Sequence, residues 1–142
     1  MGRDTPRPLT HLSRSAGWGD DDGGVDEGRT TAGAVLDLLA AAGVTTVHGL
    51  PGVHNLAFWA AAGEPGPDGS RRPRLVVVRH EQTTVYAADG LARATGGLGV
   101  ALTTTGPGAA NALAAFGEAA ASGSPVVLVA SEVAQGLRRP GR

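Results

Sequence analysis

The sequence predicts an α/β domain in which a parallel sheet forms the middle of three layers and helices cover both of its faces. Three observations lead there. Four short apolar runs rich in β-branched residues alternate with segments rich in alanine and leucine, the order produced by strand, crossover helix and strand. Two of the runs, Leu75-Val76-Val77-Val78 and Val126-Val127-Leu128-Val129, are continuously apolar, as central strands covered on both faces are. Glycine and proline stand at the boundaries between the two kinds of segment, where the chain has to turn.

Residues 1–29 mix Pro6, Pro8, Gly17, Gly19 and the run Asp20-Asp21-Asp22 with few apolar side chains. Such a stretch buries too little surface to offset the entropy of ordering it, so it is expected to be a disordered leader. The domain proper is expected over residues 30–142. Thr30 or Thr31 can cap a first helix that ends at Gly43, with Val35, Leu36, Leu38 and Leu39 as its apolar stripe. Strands are expected at Val44–His48, Leu75–Val78, Leu98–Thr104 and Pro125–Val129. Helices are expected at about Asn55–Ala62, Glu81–Thr95 and Ala109–Ala121, and the Pro- and Gly-rich stretch Gly63–Pro73 reads as a loop.

Composition narrows the partners. With 12 basic and 13 acidic side chains and a formal charge of -1, the chain has no sustained field for nucleic acid or an anionic membrane surface. It has no cysteine, which removes disulfides, thiol nucleophiles and thiolate metal sites. Neither a signal-peptide core nor a membrane-spanning run is visible, and the cytoplasm is the default compartment.

In an open parallel sheet, ligands bind beyond the carboxyl ends of the strands, where turns and helix N-termini converge. The four expected strands run into Gly49-Leu50-Pro51-Gly52, Arg79-His80-Glu81-Gln82, Thr103-Thr104-Thr105-Gly106-Pro107-Gly108 and Ser131-Glu132. One edge therefore gathers glycines that allow close backbone approach, rigid turns at Pro51 and Pro107, threonine hydroxyls, the amide of Asn111 and one carboxyl, Glu81. Those groups suit a flat, polar heterocycle. No Walker phosphate loop, HExxH zinc pattern or G-x-S-x-G elbow is present, and the histidines lack metal-ligand spacing.

Gly49-Leu50-Pro51-Gly52, Arg79-His80-Glu81-Gln82, Ala87-Ala88-Asp89-Gly90-Leu91-Ala92-Arg93 with Thr95-Gly96, and Thr105-Gly106-Pro107-Gly108-Ala109-Ala110-Asn111, in that order and at that spacing, closely resemble the pyrimidine-binding (PYR) domain of thiamine-diphosphate-dependent enzymes of the acetolactate synthase type. Each motif alone is a weak signal, and four in register are a strong one. The resemblance runs from about Thr30 to the C-terminus and implies the thiamine-diphosphate-binding fold. It also implies a 2-oxo acid decarboxylase or carboligase. In that family a glutamate hydrogen-bonds N1′ of the cofactor's aminopyrimidine, a role the resemblance gives to Glu81. By the same carry-over Pro51 and Gly52 line the ring, Thr105, Gly106 and Pro107 shape the adjoining turn, and Asn111 fixes that turn or touches the cofactor. His54, just after the Pro51-Gly52 turn, and Gln82 are weaker candidates for substrate contact.

The family completes its site with a pyrophosphate-binding domain whose Gly-Asp-Gly motif and later Asn hold magnesium and diphosphate, and no such domain is recognisable here. The Gly19-Asp20-Asp21-Asp22-Gly23 stretch has the composition but no strand before it or helix after it. Mg2+ is therefore expected only from a partner domain or subunit, in a homo- or hetero-oligomer. No residue indicates the flavin (FAD) that some members retain. Pro140-Gly141-Arg142 comes before a final helix usual in such domains, so the domain reads as incomplete at its end. Two other readings stay open: an inactive fragment or regulatory domain that keeps the fold, and a dinucleotide-binding domain built on Gly106-Pro107-Gly108-Ala109-Ala110-Asn111. The second lacks the third small residue, and its motif follows the third strand rather than the first.

Overall fold

The computed structural model describes residues 30–133. The expected leader, its Gly-Asp-rich stretch and the last nine residues lie outside them. Among the described residues four helices and four strands alternate as α1 (Thr31–Ala41), β1 (Thr46–Gly49), α2 (Leu56–Ala62), β2 (Arg74–Val77), α3 (Glu81–Thr95), β3 (Gly99–Thr103), α4 (Pro107–Ala121) and β4 (Val126–Ala130), with a 3-10 turn, Val53–Asn55, before α2. The strands form one sheet in the order β2-β1-β3-β4, and every pairing is parallel. This is the α/β architecture the alternating pattern predicts.

Local chemistry explains the ends of these elements. The Thr30 hydroxyl accepts a hydrogen bond from the Gly33 N–H at 3.0 Å and so caps α1. His80 caps α3 in the same way, its Nδ1 accepting from the Gln82 N–H at 3.2 Å. Gly96, left-handed with φ 71°, closes that helix. The α4 helix starts two residues before the expected Ala109 because Pro107 occupies its first position, where proline's fixed φ and missing N–H suit a helix start.

Two layers of side chains hold the sheet. On one face α3 and α4 pack through Val85, Ala88, Ala112, Ala115 and Ala119 onto Ala101, with Val126 and Leu128 alongside. On the other, Leu36, Phe58 and Ala61 from α1 and α2 close over Val47, Val100, Leu102 and Leu75. Small residues dominate the first layer, which lets α3 approach the sheet closely. A methyl group built on Gly99 would overlap the Ala88 carbonyl oxygen and lie 2.7 Å from its carbon. Beneath α1 and α2, Arg72 reaches Asp37 with Nε–Oδ1 at 2.7 Å and Nη2–Oδ2 at 3.2 Å, and its Nη1 donates to the Ala61 carbonyl at 2.9 Å. This largely buried fork pins the loop before β2 to both helices.

Two expectations about burial are corrected. Leu75–Val78 and Val126–Val129 are not central strands: β2 and β4 are the sheet edges, and Val77 and Val127 are 60% and 39% exposed. The fully buried strand is β3, every residue of it. Leu38 does not join the apolar stripe of α1 but is 71% exposed, because it sits about 200° around the helix from Leu36. His48 on β1 shares a face with Ala101, and burial, then the Arg74 charge, hold its imidazole below the ordinary pKa. No helix among the described residues is long and apolar enough to cross a membrane.

Candidate active site

The carboxyl edge of the sheet brings two turns and two helix starts together. After β1 the chain passes through Leu50-Pro51-Gly52, and the Leu50 N–H still reaches the Leu102 carbonyl on β3 at 3.2 Å. After β3 it passes through Thr104-Thr105-Gly106 into α4, and Gly106 takes φ 61° and ψ -122°, a conformation open to glycine. Glu81 is the first residue of α3, and Asn111 lies one turn into α4.

Glu81 and Asn111 meet. The Asn111 Nδ2 donates to Glu81 Oε2 at 3.2 Å, and among the described residues Oε1 is left without a hydrogen-bond partner. The acid is half-buried and Asn111 is exposed, so the carboxylate is held from one side and open on the other. It also stands at the N-terminus of a 15-residue helix, whose dipole favours a negative charge there.

Thr104 ties the two turns together. A Cβ added to Gly52 would lie 2.6 Å from the Thr104 Cβ, and one added to Gly108 would lie 2.7 Å from its Cγ2 and 3.5 Å from Glu81 Oε1. Both glycine backbones therefore press on one threonine, beside the carboxylate. Pro51, Gly106 and Pro107 are solvent-exposed and Gly52 and Thr105 half-buried, so a planar ligand has access to these turns. Gln82 follows Glu81, half-buried, with its N–H bound to the His80 ring. His54 lies in the 3-10 turn, also half-buried. The Glu81–Asn111 pair forms without either of them. Asp89 and Arg93 make the i,i+4 ion pair their spacing suggests, at 2.8 Å.

Two residues at this edge carry no distinctive spacing in the sequence. Thr104 is one. Asn55 is the other: it is fully buried and binds the Leu50-Pro51-Gly52 turn through its side chain. The only signal for Asn55 is an amide among apolar residues three positions after Gly52. A cleft of about 610 Å³ lies elsewhere, lined by Trp59, Glu64, Ser70 and Arg71 among others. It does not touch Glu81. The candidate site is an open edge rather than a closed pocket.

Residues 29–141 match the model of the family described as thiamine pyrophosphate enzyme, N-terminal TPP binding domain. The chain belongs to that family. Similar proteins include a probable 2-ketoarginine decarboxylase of Pseudomonas aeruginosa, 45% identical over 102 residues, covering 71% of this chain and 17% of that protein. The acetolactate synthase isozyme 3 large subunit of Escherichia coli is 42% identical over 103 residues, 72% of this chain and 17% of the relative. The acetolactate synthase of Bacillus subtilis is 39% identical over 99 residues, 70% of this chain and 16% of the relative. The chain thus spans about a sixth of the length of these relatives.

The residues present fit the aminopyrimidine half of thiamine diphosphate. Gly52 and Gly108 pack their backbones against Thr104, which holds the exposed turns at Pro51 and Gly106-Pro107 beside a Glu81 carboxylate that is tethered, among the described residues, through Oε2 alone. Among the described residues no group of three His, Asp or Glu converges as a metal-ligand set.

Proposed function

We propose that this chain forms the pyrimidine side of a thiamine diphosphate site in a 2-oxo acid decarboxylase or carboligase, most like acetolactate synthase. A pyrophosphate-binding domain or subunit completes the site with diphosphate and Mg2+, within a cytoplasmic homo- or hetero-oligomer. The observation that carries the reading is the half-tethered Glu81 carboxylate beside the turns at Gly52 and Gly106-Pro107-Gly108. The similarity to acetolactate synthases supports the same reading.

When bound, thiamine diphosphate supplies the nucleophilic carbon and the electron sink for decarboxylation. The residues of this chain supply geometry and one proton. Pro51 and Gly52 on one side, and Thr105, Gly106 and Pro107 on the other, hold the ring in place through backbone contact. Asn111 occupies Glu81 Oε2 and so leaves Oε1 to share a proton with the ring nitrogen N1′. A carboxylate fixed in one orientation meets that atom without reorganising, which is how a positioned acid contributes to rate. His54 and Gln82 are the candidate contacts to a small 2-oxo acid.

Calorimetric titration tests this. Thiamine diphosphate with magnesium is expected to bind a mixture of the chain and a pyrophosphate-domain partner tightly, and the chain alone only weakly, through the pyrimidine ring. Failure to bind the mixture would point to an inactive fragment, and saturable binding of NAD would favour a dinucleotide site.

A further inference from the structure

Asn55 is fully buried, and its side-chain oxygen, its side-chain nitrogen and its N–H are all hydrogen-bonded. Its Oδ1 accepts from the Gly52 N–H at 2.8 Å and from the Trp59 Nε1–H at 3.2 Å, and its Nδ2 donates to the Leu50 carbonyl at 3.0 Å. Its own N–H donates to the Gly52 carbonyl at 3.0 Å. Pro51 has no N–H to offer, so one side chain and one amide take up the polar groups on both sides of Pro51.

This grip reaches the carboxylate through contacts already described. Asn55 fixes Gly52, Gly52 presses on Thr104, and Thr104 presses on Gly108, whose Cβ position is 3.5 Å from Glu81 Oε1. Trp59 anchors the other end, with its indole donating to the same Oδ1 and its Cζ2 3.1 Å from where a Cβ of Gly49 would be. A buried amide left half-satisfied is costly, so the site keeps this turn in one conformation.

We propose that Asn55 is a positioning residue that sets the distance between the Pro51-Gly52 turn and the Gly106-Pro107-Gly108 turn, and thereby the slot for the aminopyrimidine ring. The inference rests on the thiamine diphosphate reading. It assigns Asn55 no contact with the ring.

The test is a titration of the 15N-labelled full chain with 4-amino-5-hydroxymethyl-2-methylpyrimidine, the ring half of the cofactor, followed by NMR. The wild type is expected to show saturable shifts at the Gly52, Glu81 and Gly108 amides. In Asn55→Ala, with native circular dichroism, affinity for the pyrimidine is expected to fall at least tenfold and Gly52 amide exchange to accelerate by a similar factor. Asn55→Asp is the second variant. Its carboxylate still accepts from Gly52 and Trp59, but faces the Leu50 carbonyl until it is protonated, and burial raises its pKa. Its affinity relative to the wild type is therefore expected to recover as the pH falls from about 8 to about 5.

Folded Asn55→Ala that binds within twofold of the wild type overturns the inference and leaves the cofactor reading intact. If Asn55→Ala does not fold, a ratio for Asn55→Asp that stays flat with pH overturns it. A wild type that shows no shift at Glu81 overturns the cofactor reading, and the inference falls with it.

Discussion

Glu81→Gln is expected to lower the rate of 2-oxo acid decarboxylation by roughly 10²- to 10⁴-fold, the range for losing a positioned acid or base, when the chain is assayed with a pyrophosphate-domain partner. The glutamine keeps the size of the side chain and can still accept from Asn111, whose Nδ2 lies 3.2 Å from Glu81 Oε2. It cannot share a proton with a ring nitrogen. Cofactor affinity is therefore expected to change only a few-fold while kcat collapses, the pattern of an interaction strengthened in the transition state. Carbon dioxide release and calorimetry on the same samples separate the two. A variant with unchanged kcat would remove Glu81 from the chemistry.

Gly99→Ala is expected to have the largest effect on stability. Its methyl group would overlap the Ala88 carbonyl oxygen and lie 2.7 Å from the Ala88 carbon. Both are backbone atoms of α3, so no side chain can rotate away and the helix itself has to move off β3. Overpacking a close-packed core costs about 3 kcal/mol at the upper end of the usual range, which lowers Tm by roughly 15 °C for a domain of this size. The displaced helix carries Glu81 at its first position, so the same variant is expected to weaken the candidate site. Gly117→Ala is the control. That glycine lies in α4 with open space around its Cβ position, and the change is expected to stabilise by about 0.5–1 kcal/mol through helix propensity. Denaturant unfolding of both variants, with unchanged slope, checks the pair.

The sequence carried the order of elements well because that order is written in local signals. The α3 helix runs from Glu81 to Thr95 both by pattern and by structure, since a capping histidine and a left-handed glycine mark its ends. What lay beyond local reading was coverage. The runs around Val77 and Val127 are apolar enough for central strands, yet which strand lies at an edge depends on the order β2-β1-β3-β4, and nothing in either run encodes its neighbours. Leu38 is a different case: its exposure follows from helical phase, two residues and about 200° from Leu36, which is local information that the stripe of apolar residues overlooked.

The candidate site was legible in the sequence only as a set of residues gathered at one edge. Glu81, Asn111 and the two glycine-proline turns could be picked out because strand ends converge on one edge and because their order resembles a known family. Thr104 and Asn55 could not, because their roles consist of contacts. Thr104 matters through two glycines 52 and 4 positions away in number, at Gly52 and Gly108, and Asn55 through hydrogen bonds to a turn that has to exist first.

A crystal structure of the chain with its pyrophosphate-domain partner, thiamine diphosphate and magnesium tests the account most directly. Glu81 Oε1 is expected at hydrogen-bond distance from the ring nitrogen N1′, about 3 Å, with the Asn111 bond to Oε2 kept and the ring between Gly52 and Gly106-Pro107. A ring bound away from those turns, or a Glu81 side chain directed into solvent in the loaded complex, would contradict it.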